Sequence, residues 1–194
     1  IKDGDVQWMT AASGLVHEEK HSAEFAARGG PFEMVQLWVN LPAKDKMSPP
    51  RYQGILSETI PVLDFPDKTG SLRVIAGQYD QLIGPAKTFT AINLWDIRMK
   101  KNTSREFVVP EGHTASVFVL AGKIVINQSR EVEVAQIVLL EREGERFSIS
   151  ASEDCKILFL GGDPINEPIV GYGPFVMNTE SEIRQAFADY QSGK

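Results

Sequence analysis

The sequence contains little cysteine and little histidine. Cys155 is the single cysteine, and His17, His21 and His113 are the three histidines. A single thiol cannot form an internal disulfide, which is typical of proteins from a reducing compartment. Because Cys155 begins the apolar run CKILFLGG, we expect its side chain to be a small buried hydrophobe rather than a reactive thiol.

Long hydrophobic runs, an excess of positive charge and the common nucleotide-binding motifs are also absent. No run approaches the roughly 18 apolar residues of a membrane-spanning helix, and the first residues show no signal-peptide pattern. A net charge of -6 argues against a surface for nucleic acid, which usually concentrates lysine and arginine on one face. No G-x-S-x-G nucleophile elbow, P-loop or helix-opening G-x-G-x-x-G occurs. We therefore expect a soluble, cytoplasmic protein with no direct nucleic-acid or membrane partner.

Short segments that alternate or are apolar, bounded by glycine, proline, asparagine and aspartate, make up most of the chain. This pattern predicts strands at MVQLWVN, LRVIAGQY, AINLWDIRM, ASVFVLAG, KIVINQ, VEVAQIVLL, RFSIS and KILFLGG. No amphipathic helix separates these segments, so the predicted fold class is all-β, either a sandwich or a barrel. We expect Trp8, Trp38 and Trp95 to have packing roles.

Residues 41–66 interrupt the strand pattern with five prolines. Proline lacks the N–H group that a central strand needs, so we expect an extended arm in this part of the chain. The basic stretch PAKDKMSPPRYQ within it could anchor a ligand or a partner protein. The plainer interpretation is that Lys44, Lys46 and Arg51 are solvated or pair with local acidic groups.

The last residues, NTESEIRQAFADYQSGK, predict a helix. Thr179 is the expected N-cap, Glu182 completes a capping box and Gly193 marks the end of the helix. Three apolar residues fall at helical spacing on the face expected to pack on the sheet, namely Ile183, Phe187 and Tyr190.

The candidate functional residues lie in the stretch GLVHEEKH. On a strand, residues two apart project to the same side, so His17 and Glu19 would point together and Glu18 away from them. An imidazole and a carboxylate are suitable ligands for a first-row metal. Two ligands are not a complete site, and an H-x-E at a surface is more often a solvated pair. His21 could replace a missing ligand only if the strand bends, because four extended residues span roughly 13 Å.

The stretch GDVQWMTAASGLVHEE resembles the second conserved motif of the cupin fold. In that motif a glycine precedes a metal-binding histidine by three residues, as Gly14 precedes His17. Together with VQLWVNLPAKDKMSPPRYQ, GPAKTFTAINLWDIRM and EPIVGYGPFVMNTESEIRQAFADYQSG, it resembles the pirin family of bicupins over essentially the whole chain.

The resemblance implies an all-β fold of cupin-type double-stranded β-helix barrels with a C-terminal helix. Residues 1–45 would be a remnant of the N-terminal metal-binding barrel, and residues 46–66 an inter-domain arm. Residues 67–176 would form the C-terminal barrel, and residues 177–194 a helix that packs back on the N-terminal part.

Pirin-like proteins are similar in holding one iron in the N-terminal barrel through three histidines and one glutamate, and His17 and Glu19 match two of these ligands. The other two come from an H-x-H on an earlier strand, and this sequence contains no H-x-H. Because the chain begins at Ile1 rather than at methionine, we expect the missing pair upstream and the N-terminal barrel to be truncated. The expected cofactor of the intact protein is Fe(2+) or another first-row divalent metal, absent from this chain or weakly bound by it.

The C-terminal barrel keeps part of the same motif in VPEGHTASVFVLAGKIVIN. Ala115 stands where a second histidine would complete H-x-H after His113. We therefore expect His113 to be a structural turn residue and the C-terminal barrel to hold no metal.

The resemblance implies a quercetin 2,3-dioxygenase, which opens a flavonol with dioxygen and in which Glu19 would also act as the catalytic base. It leaves open the alternative of a non-catalytic regulatory protein, in which the metal would adjust the shape or charge of a surface that binds a partner. Such partners are transcription regulators of the NF-kappaB type in animal nuclei, where the protein would be nuclear and cytoplasmic, and a pyruvate dehydrogenase subunit in some bacteria. We expect this chain to be inactive, and to dimerise or aggregate through exposed N-terminal strand edges.

Overall fold

Strands account for most of the regular structure in the computed structural model, which describes residues 2–193. In chain order the strands are β1 (Val6–Thr10), β2 (Arg51–Ile55), β3 (Val62–Asp64), β4 (Gly70–Ala76), β5 (Gln78–Tyr79), β6 (Leu82–Ile83), β7 (Ile92–Met99), β8 (Thr103–Val108), β9 (Thr114–Ala121), β10 (Ile124–Ile126), β11 (Arg130–Val132), β12 (Ile137–Leu140), β13 (Arg146–Ala151), β14 (Cys155–Gly162), β15 (Val170–Tyr172) and β16 (Phe175–Met177). The α-helices of the described residues are α1 (Ala23–Arg28) and α2 (Glu180–Ser192). The predicted all-β class is therefore confirmed. Among these residues, no helix is both long and apolar enough to cross a membrane.

The described residues form two units, one of which contains Lys2–Trp8 and Gln53–Pro164. It includes a six-stranded sheet in the order β12-β9-β14-β7-β4-β3 and a four-stranded sheet in the order β11-β10-β13-β8. Neighbouring strands in both sheets are antiparallel. Side chains from the two sheets share one core, so we name this pair of sheets the C-terminal barrel.

The core of the C-terminal barrel follows from the alternation of side chains along its strands. In β9, Ala115, Val117 and Val119 are buried, while Ser116 and Phe118 between them are only partly buried. Successive side chains of a strand point to opposite faces, so each strand contributes every second residue to the core. Each large apolar side chain that is fully buried in this way stabilises the fold by about 1.5–3 kcal/mol.

A row of stacked aromatic rings fills the middle of this core. Ring centroids lie 4.3 Å apart between Trp95 and Phe159, 5.5 Å between Phe159 and Phe147, and 5.3 Å between Phe147 and Phe107. None of these four side chains is more than 3% exposed. Close aromatic pairs contribute about 0.5–1.5 kcal/mol beyond the burial of their area. These four residues, which we name the aromatic row, therefore connect the two sheets of the barrel.

A smaller apolar cluster in the same unit packs Ile55 and its neighbours against Trp8. The indole N–H of Trp8 donates a hydrogen bond to the carbonyl oxygen of Lys87 at 3.0 Å. Trp8 and Trp95 therefore pack as predicted. Trp38 is 68% exposed, so the packing prediction is wrong for that residue.

The other unit contains Met9–Tyr52 and residues 165–193, and its helices and hairpin are α1, α2 and the pair β15–β16. Helix α2 begins and ends as the sequence predicts. The Thr179 side chain accepts from the backbone N–H of Glu182, and the Glu182 carboxylate accepts from the backbone N–H of Thr179. Gly193 has a φ of 76°, the left-handed conformation that ends many helices.

The apolar face of α2 is only partly covered. Ile183 is buried, and the ring of Phe187 lies 4.9 Å from the ring of Phe175 in β16. Tyr190, expected on the same packed face, is 62% exposed because it lies at the last turn of the helix.

Residues 34–40 and the proline-rich arm both differ from the sequence-based expectation. Residues 34–40, predicted as a strand, belong to no strand and form no strand pairing within residues 2–193. An alternating segment becomes a strand only where a neighbouring strand supplies its hydrogen-bond partners. The proline-rich arm, in contrast, contains β2 and β3, and β3 forms the edge of the six-stranded sheet. An edge position tolerates the preceding Pro61, which cannot donate a hydrogen bond.

Candidate functional site

The segment that carries His17 and Glu19 has no regular secondary structure. Residues 14–22 form no strand, and both side chains are exposed. Oε1 of Glu19 accepts a hydrogen bond from Nε2 of Gln36 at 3.2 Å. The strand assumed for this segment is therefore wrong, because no strand of the described residues lies beside it to supply backbone hydrogen bonds. The role of His17 and Glu19 as metal ligands stays a prediction.

His21 packs against two phenylalanine rings. Its ring centroid lies 5.1 Å from that of Phe25 and 4.8 Å from that of Phe32. Phe25 belongs to α1, where its backbone N–H donates to the Oγ atom of the capping residue Ser22 at 3.1 Å. Sequence analysis did not predict α1, since six residues are too few to show a helical apolar period. His21 is exposed and contacts these two rings, and its role as a substitute ligand stays untested.

The described residues do not assemble a complete metal site. Among residues 2–193, no three histidine, cysteine, aspartate or glutamate side chains are grouped so that they could hold a metal ion. His17 and Glu19 offer one imidazole and one carboxylate, whereas catalytic first-row metal sites use three or more protein ligands. The donor set present here therefore fits half of a metal site.

His113 lies in the turn that follows β8, where its backbone N–H donates to the carbonyl oxygen of Pro110 at 3.3 Å. Nδ1 of its ring is buried and has no hydrogen-bond partner in the described structure. Ala115, two residues further on, is buried and offers no ligand atom. The interior of the same barrel is occupied by the aromatic row, whose side chains are not metal ligands.

A cavity of about 270 Å³ opens at one end of the C-terminal barrel. Three connections contribute to its wall: the β8–β9 turn, the β10–β11 turn and the β12–β13 loop. We name it the mouth cavity, and its wall includes Pro110, His113, Asn127, Arg130, Glu141 and Phe147. The sequence motif P-x-G-H placed His113 correctly in a turn, but it gave no indication of a cavity beside the ring.

Cys155 is the small buried hydrophobe that the sequence predicts. It is 4% exposed, at the start of β14. Burial raises the pKa of its thiol to about 11. The thiolate, which is the reactive form, is therefore scarce at neutral pH.

Lys46 is a residue whose environment the sequence analysis missed. The lysine is 6% exposed, and its Nζ atom donates to Oδ1 of Asn40 at 2.7 Å and to the carbonyl oxygen of Val176 at 3.2 Å. Burial lowers the pKa of Lys46, and the carboxylates of Glu167 and Glu182 partly offset this effect. The expectation of a solvated or locally paired side chain is wrong for Lys46, because a lysine among prolines carries no periodic signal of burial.

Two family models match this sequence. The model described as Pirin matches residues 1–39, and the model described as the Pirin C-terminal cupin domain matches residues 94–194, more than half of the chain. The chain belongs to the pirin family. The predicted cupin fold with a C-terminal helix is confirmed by the same match and by a solved structure that superimposes on the whole chain.

That structure is a quercetin 2,3-dioxygenase from Acinetobacter baumannii, with 52% sequence identity and a TM-score of 0.98. The match covers 100% of this pirin-family chain and 67% of the A. baumannii chain. A Pseudomonas aeruginosa protein provisionally named quercetin 2,3-dioxygenase is 49% identical over 194 residues, which make up 68% of its length. The protein named Pirin from Homo sapiens is 32% identical, and the match covers 66% of it. Similar proteins therefore include some named as dioxygenases and others named only as pirins.

Proposed function

We propose that this chain is part of a metal-dependent quercetin 2,3-dioxygenase, an enzyme that opens a flavonol ring with dioxygen. The observation that carries the proposal is the similarity to two proteins with that name, at 49% and 52% identity over the full length of this chain. Identity at this level over the whole chain supports a shared chemistry in the proteins that contain it.

His17 and Glu19 are the residues that we propose as metal ligands. An imidazole nitrogen and a carboxylate oxygen suit Fe(2+) or another first-row divalent metal, which when bound would offer open positions to the flavonol and dioxygen. We propose Glu19 also as the base that accepts the proton of the flavonol hydroxyl. The hydrogen bond from Gln36 reaches Oε1 of Glu19, which holds the carboxylate and leaves Oε2 for either role.

Two further ligands would have to come from an H-x-H in sequence outside these 194 residues. The 194 residues alone supply half of a four-ligand set, so we expect them to bind iron weakly and to consume no flavonol. Stoichiometric iron in the purified chain after dialysis, measured by metal analysis, would contradict this expectation.

The experiment compares the 194-residue chain with the complete gene product that contains it, both supplied with ferrous iron. Loss of quercetin absorbance and uptake of oxygen are measured together. We expect turnover only by the complete product. Either His17→Ala or Glu19→Gln should lower its rate at least about 100-fold, because removing a metal ligand costs more than removing a residue that only hydrogen-bonds to a ligand. The matched control is Glu18→Gln, an exposed carboxylate that pairs with Lys20. Unchanged turnover in both ligand variants would overturn the assignment.

The second candidate function is a regulatory binding protein, a transcription cofactor or a partner of a metabolic enzyme. It is favoured by similarity to a protein named only Pirin and by the exposure of apolar side chains in residues 32–39. Phe32 is 61% exposed, Met34 53% and Trp38 68%. Exposed apolar side chains that lie close together in sequence are typical of surfaces that bind other proteins or associate with themselves. Absence of flavonol turnover in the iron-loaded complete product, with partner binding retained, would favour this function over the enzyme.

A further inference from the structure

The mouth cavity of the C-terminal barrel is not used by the proposed function. Its volume is about 270 Å³. A cavity on the order of 150 Å³ already accommodates a benzene ring, and typical pockets for larger ligands begin at roughly 300 Å³. The size of the mouth cavity therefore suits a single substituted ring.

The wall of the mouth cavity is held in place by backbone hydrogen bonds. The N–H of Gly112 donates to the carbonyl oxygen of Arg142 at 3.0 Å, which joins the β8–β9 turn to the β12–β13 loop. The N–H of Asn127 donates to the carbonyl oxygen of Ser148 at 3.0 Å, and Oδ1 of Asn127 accepts from the N–H of Ser148 at 2.8 Å. A wall fixed before binding loses little conformational entropy when a ligand enters.

The apolar part of the wall includes an aromatic ring. Phe147 lines the mouth cavity and stacks between Phe107 and Phe159, with interplanar angles of 20° and 13°. Ile126 and Val138 contribute further apolar surface. Because both faces of the Phe147 ring are covered, a ligand can contact only the edge of the ring, and a ring edge packs favourably against the face of another aromatic ring.

The polar part of the wall carries charges of both signs. Arg130 and Arg146 lie on it with Glu141 and Glu143, and Arg146 forms an ion pair with Glu106 of β8. The wall therefore offers an anion no surplus of positive charge. Hydroxyl groups match such a wall, since they donate to carboxylates and accept from guanidinium groups.

The imidazole of His113 adds a polar edge. Its buried Nδ1 lacks a hydrogen-bond partner in the described structure, and a buried polar atom without a partner is unfavourable. His113 lines the mouth cavity, so its imidazole ring adds a group to the wall that can donate or accept a hydrogen bond.

We propose that the mouth cavity is a binding site for a small, uncharged, hydroxylated aromatic compound, a phenol of the size of catechol. The proposal involves neither His17, nor Glu19, nor a metal, so it stands or falls independently of the dioxygenase function.

The test is an NMR titration of the ¹⁵N-labelled chain with catechol, in parallel with benzoate and glucose. We expect catechol to give saturable shifts at the amides of Gly112, Asn127 and Ser148, and benzoate and glucose to bind at least about fivefold more weakly, the equivalent of one hydrogen bond. Tighter binding of benzoate or glucose at these amides would overturn the ligand class. Unchanged spectra with all three probes would overturn the site.

A pair of arginine variants checks the polar contact. Arg130→Ala should weaken catechol binding about fivefold, because it removes a hydrogen-bond donor from the wall. Arg142→Ala is the matched control, since Arg142 is exposed in the adjacent loop and its side chain does not line the mouth cavity. Both side chains are exposed, so both variants should fold. Equal affinity in the wild type and Arg130→Ala would overturn the assigned contact.

Discussion

The C-terminal barrel is well packed but carries no pair of candidate metal ligands, whereas residues 14–40 are poorly packed and carry such a pair. The barrel has two hydrogen-bonded sheets and a core of buried aromatic rings, and its P-x-G-H turn carries one histidine and no second ligand. Residues 14–40 carry both proposed metal ligands, yet their only regular element is α1 and nearly all of their side chains are exposed. The residues that stabilise this sequence and the residues that give it a candidate chemistry are therefore different ones.

The aromatic row provides the sharpest test of this difference. Trp95→Ala should lower the free energy of unfolding by about 3–5 kcal/mol, because it leaves a cavity beside Phe159 and Tyr79 in the core. Trp38→Ala removes the same side chain from an exposed position and should change that free energy by less than about 0.5 kcal/mol. Urea unfolding followed by circular dichroism measures both. Similar losses in the two variants would show that Trp38 is buried in solution.

Lys46 tests whether a buried polar contact stabilises the unit that contains the candidate ligands. Lys46→Met removes the donor to Asn40 and Val176 and should lower the free energy of unfolding by about 1–2 kcal/mol. The matched control is Lys44→Met, at an exposed lysine two residues earlier, which should have little effect. Equal behaviour of the two variants in limited proteolysis and urea unfolding would contradict the buried contact.

The same lysine predicts a pH dependence. Burial lowers the pKa of Lys46 in the folded protein, so between that pKa and the ordinary value of 10.5 the unfolded chain binds more protons than the folded one. The free energy of unfolding of the wild type, measured relative to Lys46→Met, should therefore rise as the pH increases through this window. A difference that falls with increasing pH would rule out a lowered pKa.

The smallest expected effect concerns Cys155. Its thiol is buried and its pKa is raised to about 11, so Ellman's reagent at pH 8 should label the folded chain negligibly and the urea-unfolded chain completely. If the folded chain were labelled as fast as the unfolded chain, β14 would have to open readily. The difference in packing between the barrel and residues 14–40 would then be smaller than the structure indicates.

Local sequence signals predicted those elements whose partners lie within the described chain. The runs AINLWDIRM, ASVFVLAG and KILFLGG became β7, β9 and β14, each with neighbours on both sides. The capping box of α2 was identified because Thr179 and Glu182 interact across three residues, a distance that sequence spacing fixes.

The remaining features depend on contacts that spacing does not encode. Residues 34–40 have strand alternation but no strand beside them, and β3 is too short to be recognised among prolines. The burial of Lys46 depends on Val176, 130 residues away. For the candidate site, sequence analysis identified His17 and Glu19 as residue types, whereas their local backbone and the hydrogen bond from Gln36 became visible only in the structure.

The order of strands in the six-stranded sheet has a consequence for biosynthesis. β14 is the last strand of the C-terminal barrel in the chain, yet it lies between β9 and β7 and pairs with both. Until Gly162 has left the ribosome, the strands of this sheet can pair only as two separate halves, β12-β9 and β7-β4-β3, and the edges of β9 and β7 that β14 will join stay unpaired. Such late, long-range pairing slows folding and leaves nascent edges open to association with other chains. We therefore expect the yield of folded protein to depend on chaperone supply during translation more than on the stability of the finished barrel.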